Sequence, residues 1–149
     1  IIDGKIVGVI GDGSTYGDLV YYKDVLQGYL LAAEKENAVG EAFNISCDKP
    51  STHLEVIQAM IGESGSNSRI IKMNKHAARF FLNVISFLRL TDLPRYQFDY
   101  LFNHNVYSVD KAKRLLGYKP TKSAAESAVE LLKGYIQDRD FVKARSENY

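Results

Sequence analysis

The sequence predicts an α/β fold. Short β-rich runs alternate with amphipathic helices along the chain. Two helices open on a capping box, Thr52 with Glu55 and Ser123 with Glu126. The first strand is expected over residues 6–10 (IVGVI), stopped by the turn signal Gly11-Asp12-Gly13. LVYY at 19–22 reads as a second strand. Asp24, with Gln27 three residues on, is expected to cap a helix over 23–36, with Leu26, Tyr29, Leu30 and Ala33 at helical spacing. AFNIS at 42–46 reads as a strand.

The Thr52 box opens a helix whose Leu54, Ile57, Met60 and Ile61 share one face, ending near Gly62–Gly65. RIIKM at 69–73 is a short strand, and 75–90 is a strongly apolar helix broken at Leu93-Pro94. Residues 96–105 are aromatic and fit no single element. Ser108 is expected to cap a helix over 109–116, closed by Gly117. The last helix starts at the Ser123 box and runs to about Asp138, with Ala125, Ala128, Val129, Leu132, Tyr135 and Ile136 inward. Residues 143–149 are expected to fray. The order is β-β-α-β-α-β-α followed by two helices, and so small a sheet has exposed edges unless something completes it.

A length of 149 residues with 46% hydrophobic content fits one domain able to bury a core without staples. The 19 basic and 18 acidic residues leave a net charge of +1, which argues against nucleic acid as partner. The lone Cys47 cannot form an internal disulfide, which leans towards a reducing, cytoplasmic setting. The apolar stretch 77–90 carries Arg79, Asn83 and Arg89 and is too short to span a bilayer, leaving a buried or surface-docking helix. No initiator Met and no leader pattern are visible at Ile1, so a processed chain or a piece of a longer protein is expected.

Candidate chemistry is sparse. The run Gly11–Gly17 has the glycines of a dinucleotide loop, but a strand rather than a helix follows it, so an ordinary turn is expected. Tyr118 and Lys122 have Tyr-x-x-x-Lys spacing, yet Pro120 between them excludes the helical turn that would stack them. His53 and His76 are expected at the surface, and His104 could line a pocket. Asp12, Asp18 and Asp24 suit no metal loop, and no metal site is expected. Phe80, Phe81, Phe87, Tyr96, Phe98, Tyr100 and Phe102 crowd one third of the chain, fitting core plus interface, an apolar substrate pocket or a membrane-surface patch.

Several segments together resemble a known family. IGDGSTYGDLVYYKDVLQG (10–28) runs into YLLAAEK, then GEAFNIS and STHLEVIQAM, and VYSVDKAKRLLGYKP (106–120) follows later. Their order resembles the C-terminal half of an extended short-chain dehydrogenase/reductase, the NAD-dependent epimerase/dehydratase family, closest to its 3β-hydroxysteroid-dehydrogenase-like branch. The resemblance implies an incomplete fragment of a Rossmann-type fold: a single C-terminal substrate-binding region over 1–149, whose residues 23–46 would pack on the cofactor-domain sheet. It implies NAD or NADP in the intact parent enzyme and none bound by this chain alone, since the Gly-rich cofactor loop and the catalytic Ser/Thr, Tyr and Lys would lie upstream of Ile1. Such a parent takes a hydride from a sugar-nucleotide or sterol-like hydroxyl substrate while a Tyr phenolate acts as base. Gly17 stands where the family's nucleotide-sugar enzymes carry a diphosphate-pairing Arg, and residues 103–107 offer no second one; both departures speak against a nucleotide sugar. Tyr16, Gly17 and His104 are the expected substrate-binding residues. Expected partners are a small-molecule substrate, the missing cofactor domain and a second copy in a homodimer. Two other readings are a catalytically inactive module that dimerises or binds a partner, and a protein associated with a membrane surface.

Overall fold

The computed structural model describes residues 1–88, 90 and 95–139, with the backbone alone for 95–98. The Leu93-Pro94 break, the side chains of Tyr96 and Phe98 and the tail 143–149 lie outside the described residues. The elements are β1 (Val7–Ile10), β2 (Tyr16–Gly17), α1 (Tyr22–Glu34), β3 (Ser51–Thr52), α2 (His53–Ser64), β4 (Ile70–Met73), α3 (Lys75–Phe87), α4 (Arg95–Phe102), α5 (Asp110–Leu116) and α6 (Ala124–Gln137). β1 and β4 pair in parallel, Val7 opposite Ile70 and Ile10 opposite Met73. β2 and β3 pair antiparallel, Tyr16 opposite Thr52.

Both capping boxes form. The Thr52 and Ser123 side chains accept from the backbone N–H groups of Glu55 and Glu126, whose carboxylates accept in return. Gly65 and Gly117 close α2 and α5 at φ 61° and 74°, a left-handed conformation that glycine adopts without a Cβ penalty. α2 packs along α6. The main buried cluster is Val109, Ala112, Leu116 and Tyr118, with Leu31, Ala32, Phe43 and Ile45 against it. Gly28 lets α1 close on that cluster, because a Cβ there would meet Ile45 Cδ1 at 2.7 Å.

Four expectations are corrected. Residues 19–22 form no strand: among the described residues no strand pairs with them, and Tyr22 already begins α1. Asp24 does not cap α1, whose N-cap position is Tyr21 with no side-chain bond. Its buried carboxylate accepts instead from the backbone N–H of Thr121 at 2.9 Å and from the Thr121 hydroxyl at 2.8 Å. Ala42–Ser46, the expected last strand of a parallel sheet, joins no ladder among the described residues; the parallel pair is β1–β4. Ser108 lies one residue before the N-cap of α5, which is Val109, and its hydroxyl accepts from Asp110 N at 3.2 Å. The aromatic stretch that fitted no element holds α4. Among the described residues no helix is long and apolar enough to cross a membrane.

These bonds rank two substitutions. Ser123→Ala removes one cap of α6 and should cost about 1 kcal/mol in a urea unfolding series. Asp24→Ala empties a buried site and removes both hydrogen bonds from Thr121, and should cost roughly 1–3 kcal/mol, the larger loss of the two.

Candidate functional site

The turn after β1 aims the site. Asp12 folds back on Ser14, its Oδ1 accepting from Ser14 N at 3.0 Å and from the Ser14 hydroxyl at 2.6 Å. Those bonds hold the Asp12 carboxyl below its usual range. Gly13, at φ 82°, sits where a Cβ would meet Leu54 Cβ and Val9 Cγ1 at 2.7 Å. The loop is therefore packed against α2 and leads into β2, with no helix opening from it.

Beyond the turn the chain is locked to α2 and to the segment after α4. Thr15 O accepts from His53 N at 2.9 Å, and Tyr16 O accepts from Asn105 N at 3.0 Å. Tyr16 N donates to His104 Nδ1 at 3.1 Å, so the ring proton of His104 in this contact sits on Nε2. The Tyr16 and His104 rings lie 5.6 Å apart. Gly17 leaves room for a third ring, since a Cβ there would stand 3.0 Å from His53 Nε2. Thus the structure brings Tyr16, Gly17 and His104 together and adds His53.

His53 was expected at the surface and is half-buried. Its place as first residue of α2, directly after the capping Thr52, turns it towards β2. Burial lowers its proton affinity below the ordinary value of 6.5, and the facing His104 lowers it further. His53 also borders a pocket of about 420 Å³ lined by Val9, Ile57, Ala78, Phe81, Leu82 and Leu101, nearly all apolar. A groove of about 440 Å³ between α1 and α6, lined by Leu19, Tyr22, Leu131 and Tyr135, holds none of the expected site residues.

Below β2, the buried Cys47 thiol donates to Asp18 Oδ1 at 3.4 Å. Burial and the adjacent carboxylate push the thiol up from its ordinary value. Asp18 Oδ2 has no hydrogen-bond partner among the described residues. Tyr118 is buried in the turn after α5, donates to Ser46 O at 2.9 Å, and is pushed up to about 12 by burial and by the charge of Asp24. Lys122 pairs with Glu130 at 3.5 Å, so the two do not form a catalytic couple. No group of His, Cys, Asp and Glu able to hold a metal occurs among the described residues.

No family model matches the chain. The sterol-4-α-carboxylate 3-dehydrogenase (decarboxylating) of Mus musculus is 24% identical over 145 residues, spanning 89% of this chain and 40% of that protein. An epimerase from Methanothermobacter thermautotrophicus matches at a TM-score of 0.71 and 19% identity, over 96% of this chain and 36% of its own. The UDP-glucose 4-epimerase of Thermotoga maritima, solved with UDP-glucose, matches at 0.62 and 23% identity, over 90% and 36%. The chain carries part of the extended short-chain dehydrogenase/reductase fold. Other structures sharing it contain NAD or NADPH. The chain spans about 40% of the length of its curated relative.

Two solution measurements check the electrostatics. The unfolded chain binds a proton at His53 more readily than the folded one. Stability from this group is therefore full above pH 6.5 and is lost as pH falls through the folded value. Unfolding at pH 5 should occur at lower denaturant than at pH 7.5, with a smaller difference in His53→Gln. Labelling of Cys47 by iodoacetamide at pH 7.5 should be far slower folded than in denaturant, and Asp18→Asn should speed the folded reaction.

Proposed function

We propose that this chain is the substrate-binding part of an NAD(P)-dependent oxidoreductase or epimerase, and that its substrate is a sterol-like hydroxyl compound. The observation that carries the reading is the apolar pocket of about 420 Å³ bordered by His53, beside which Tyr16, Gly17 and His104 converge. A pocket of this size, apolar in lining with few polar groups at one edge, suits a rigid hydrocarbon body with one polar end. Tyr16 and His104 would orient that polar end, and Gly17 would leave it room. The sterol dehydrogenase among the relatives supports the same class. A nucleotide sugar would demand cations for its diphosphate, and the described lining offers none.

The cofactor belongs to residues beyond this chain in the proposal. The Gly11-Asp12-Gly13 turn does not fit a dinucleotide, because Leu54 and Val9 fill the space beside Gly13 and no helix N-terminus faces it. Residues 23–46 would dock on the cofactor-domain sheet. Tyr22, Leu26, Tyr29 and Leu30 form an exposed stripe along α1, and Ala42–Ser46 runs without a ladder partner, so both an apolar face and a strand position stand ready there.

Binding of a fluorescent sterol, titrated against UDP-glucose as competitor, tests the reading. Saturable sterol binding that UDP-glucose does not displace is expected. Leu101→Asp at the pocket edge and Ala78→Trp within it should each weaken binding at least about ten-fold. Displacement by UDP-glucose, or sterol binding untouched by both substitutions, would sink the proposal.

A further inference from the structure

β2 holds the end of α4 through an acceptor that a proton can remove. Tyr16 makes two backbone bonds to the segment after α4. Its N–H donates to His104 Nδ1 at 3.1 Å, and its carbonyl accepts from Asn105 N at 3.0 Å. The Asn105 side chain closes that segment on α4, Nδ2 donating to Tyr100 O at 2.8 Å and to Asn103 O at 2.9 Å. Residues 100–105 thus form one tied turn, fastened to β2 at Tyr16. Leu101, inside this turn, is part of the wall of the pocket that His53 borders. On its other side α4 meets α3 through an exposed ion pair, Arg79 with Asp99 at 3.7 Å.

Nδ1 accepts only while it carries no proton. A charged imidazole has an N–H at both ring positions, so the Tyr16 N–H would then face a second donor and the bond is lost. Histidine is the side chain that ordinarily gains this charge between pH 8 and pH 5. His104 is exposed, so solvent protons reach it. His53 stands against Gly17 and faces His104, and a charge on either ring opposes a charge on the other. No carboxylate among the described residues is bonded to either imidazole. Asp12 is taken by Ser14, Asp18 by Cys47, Glu55 by Thr52 and Asp99 by Arg79. The phenols of Tyr16, Tyr100 and Tyr107 stand on the same elements.

We propose that the contact of Tyr16 with His104 is an acid-opened latch: protonation of His104 frees residues 100–105 from β2, draws Leu101 off the pocket and lets a bound apolar ligand leave. The release of ligand rests on the substrate reading above, and the latch itself does not.

Amide hydrogen exchange at pH 7.5 and pH 5, corrected for intrinsic rates and referred to the core amide of Leu116, tests the latch. Relative protection at the Tyr16 and Asn105 amides should fall at least about five-fold at pH 5, the loss of one hydrogen bond. Ring nitrogen resonances should show His104 protonated on Nε2 alone at pH 7.5 and on both nitrogens at pH 5. His104→Asn separates the proton from the contact. Its Oδ1 stands as many bonds from the backbone as Nδ1 and accepts at both pH values, so protection should persist at pH 5. His104→Phe offers no acceptor and should leave the Tyr16 amide poorly protected at both. A fluorescent sterol should bind roughly five-fold more weakly at pH 5 than at pH 7.5, and His104→Asn should remove that difference. Unchanged relative protection in the unaltered chain, or an equal fall in His104→Asn, overturns the latch. Sterol held equally at both pH values by a chain whose latch has opened overturns the release. An opening latch in a chain that binds no sterol at either pH supports the latch and defeats the substrate reading.

Discussion

A single buried carboxylate ties together the two ends of this fold. Asp24 lies in the first turn of α1 and grips the backbone N–H and the hydroxyl of Thr121, 97 positions away. Around that grip the contacts repeat in parallel. Gln27, one turn on, accepts from Lys119 N at 2.8 Å and donates to Lys119 O at 3.3 Å. Tyr118 reaches across to Ser46 O, and Asn37 Nδ2 donates to Leu115 O at 3.0 Å. The segment between α5 and α6 has no regular structure, so its backbone groups need partners from elsewhere. α1 supplies them. Once they are fixed, Ser123 is in place to cap α6, and α6 can lie along α2. The helix α2 in turn starts at β3 and holds β2, so the geometry of Tyr16, Gly17 and His53 depends on it.

The elements legible in the sequence are those whose signals are local. A Ser or Thr three residues before a Glu satisfies its own N–H groups wherever it sits, and both boxes formed as read. A glycine after a helix needs only a left-handed φ, and Gly65 and Gly117 adopt it. Misreadings fall where the outcome rests on a distant partner. Asp24 followed by Gln27 has the local form of a cap, but Thr121 offered two donors and drew the carboxylate inward. The residues LVYY at 19–22 and AFNIS at 42–46 have the composition of strands, and composition cannot supply a neighbouring edge. The site divides the same way. His104 could be singled out as a residue in an aromatic stretch, whereas His53 looked like the exposed start of a helix. Only the contact of β2 with β3 shows that the start of α2 faces Gly17.

Glycine does opposite work at two places in this chain. At Gly13 the missing Cβ lets Val9 and Leu54 close over the turn. At Gly17 the missing Cβ leaves the His53 ring its place beside β2. A sequence pattern of glycines near a strand does not distinguish these uses, because the pattern records what is absent from the side chain and not what fills the gap. The filling group is set by α2 in both cases, Leu54 in one and His53 in the other.

The exposed apolar faces of α1 and α3 are alike in width and different in company. Along α1, Glu34 closes the helix, with Glu36 and Glu41 beyond it and Lys23 at its start. The mixture of signs and the unpaired run at Ala42–Ser46 suit a protein partner able to add a strand and match charges of both kinds. Along α3 every charge is positive, and β4, which leads into it, pairs only with β1 among the described residues. α1 thus presents charges of both signs beside its exposed apolar face, and α3 only positive ones. Phe81 and Leu82 stand on the helix that bears the exposed apolar face and in the wall of the pocket that His53 borders. An apolar ligand held in that pocket would therefore sit beside the exposed apolar face of α3.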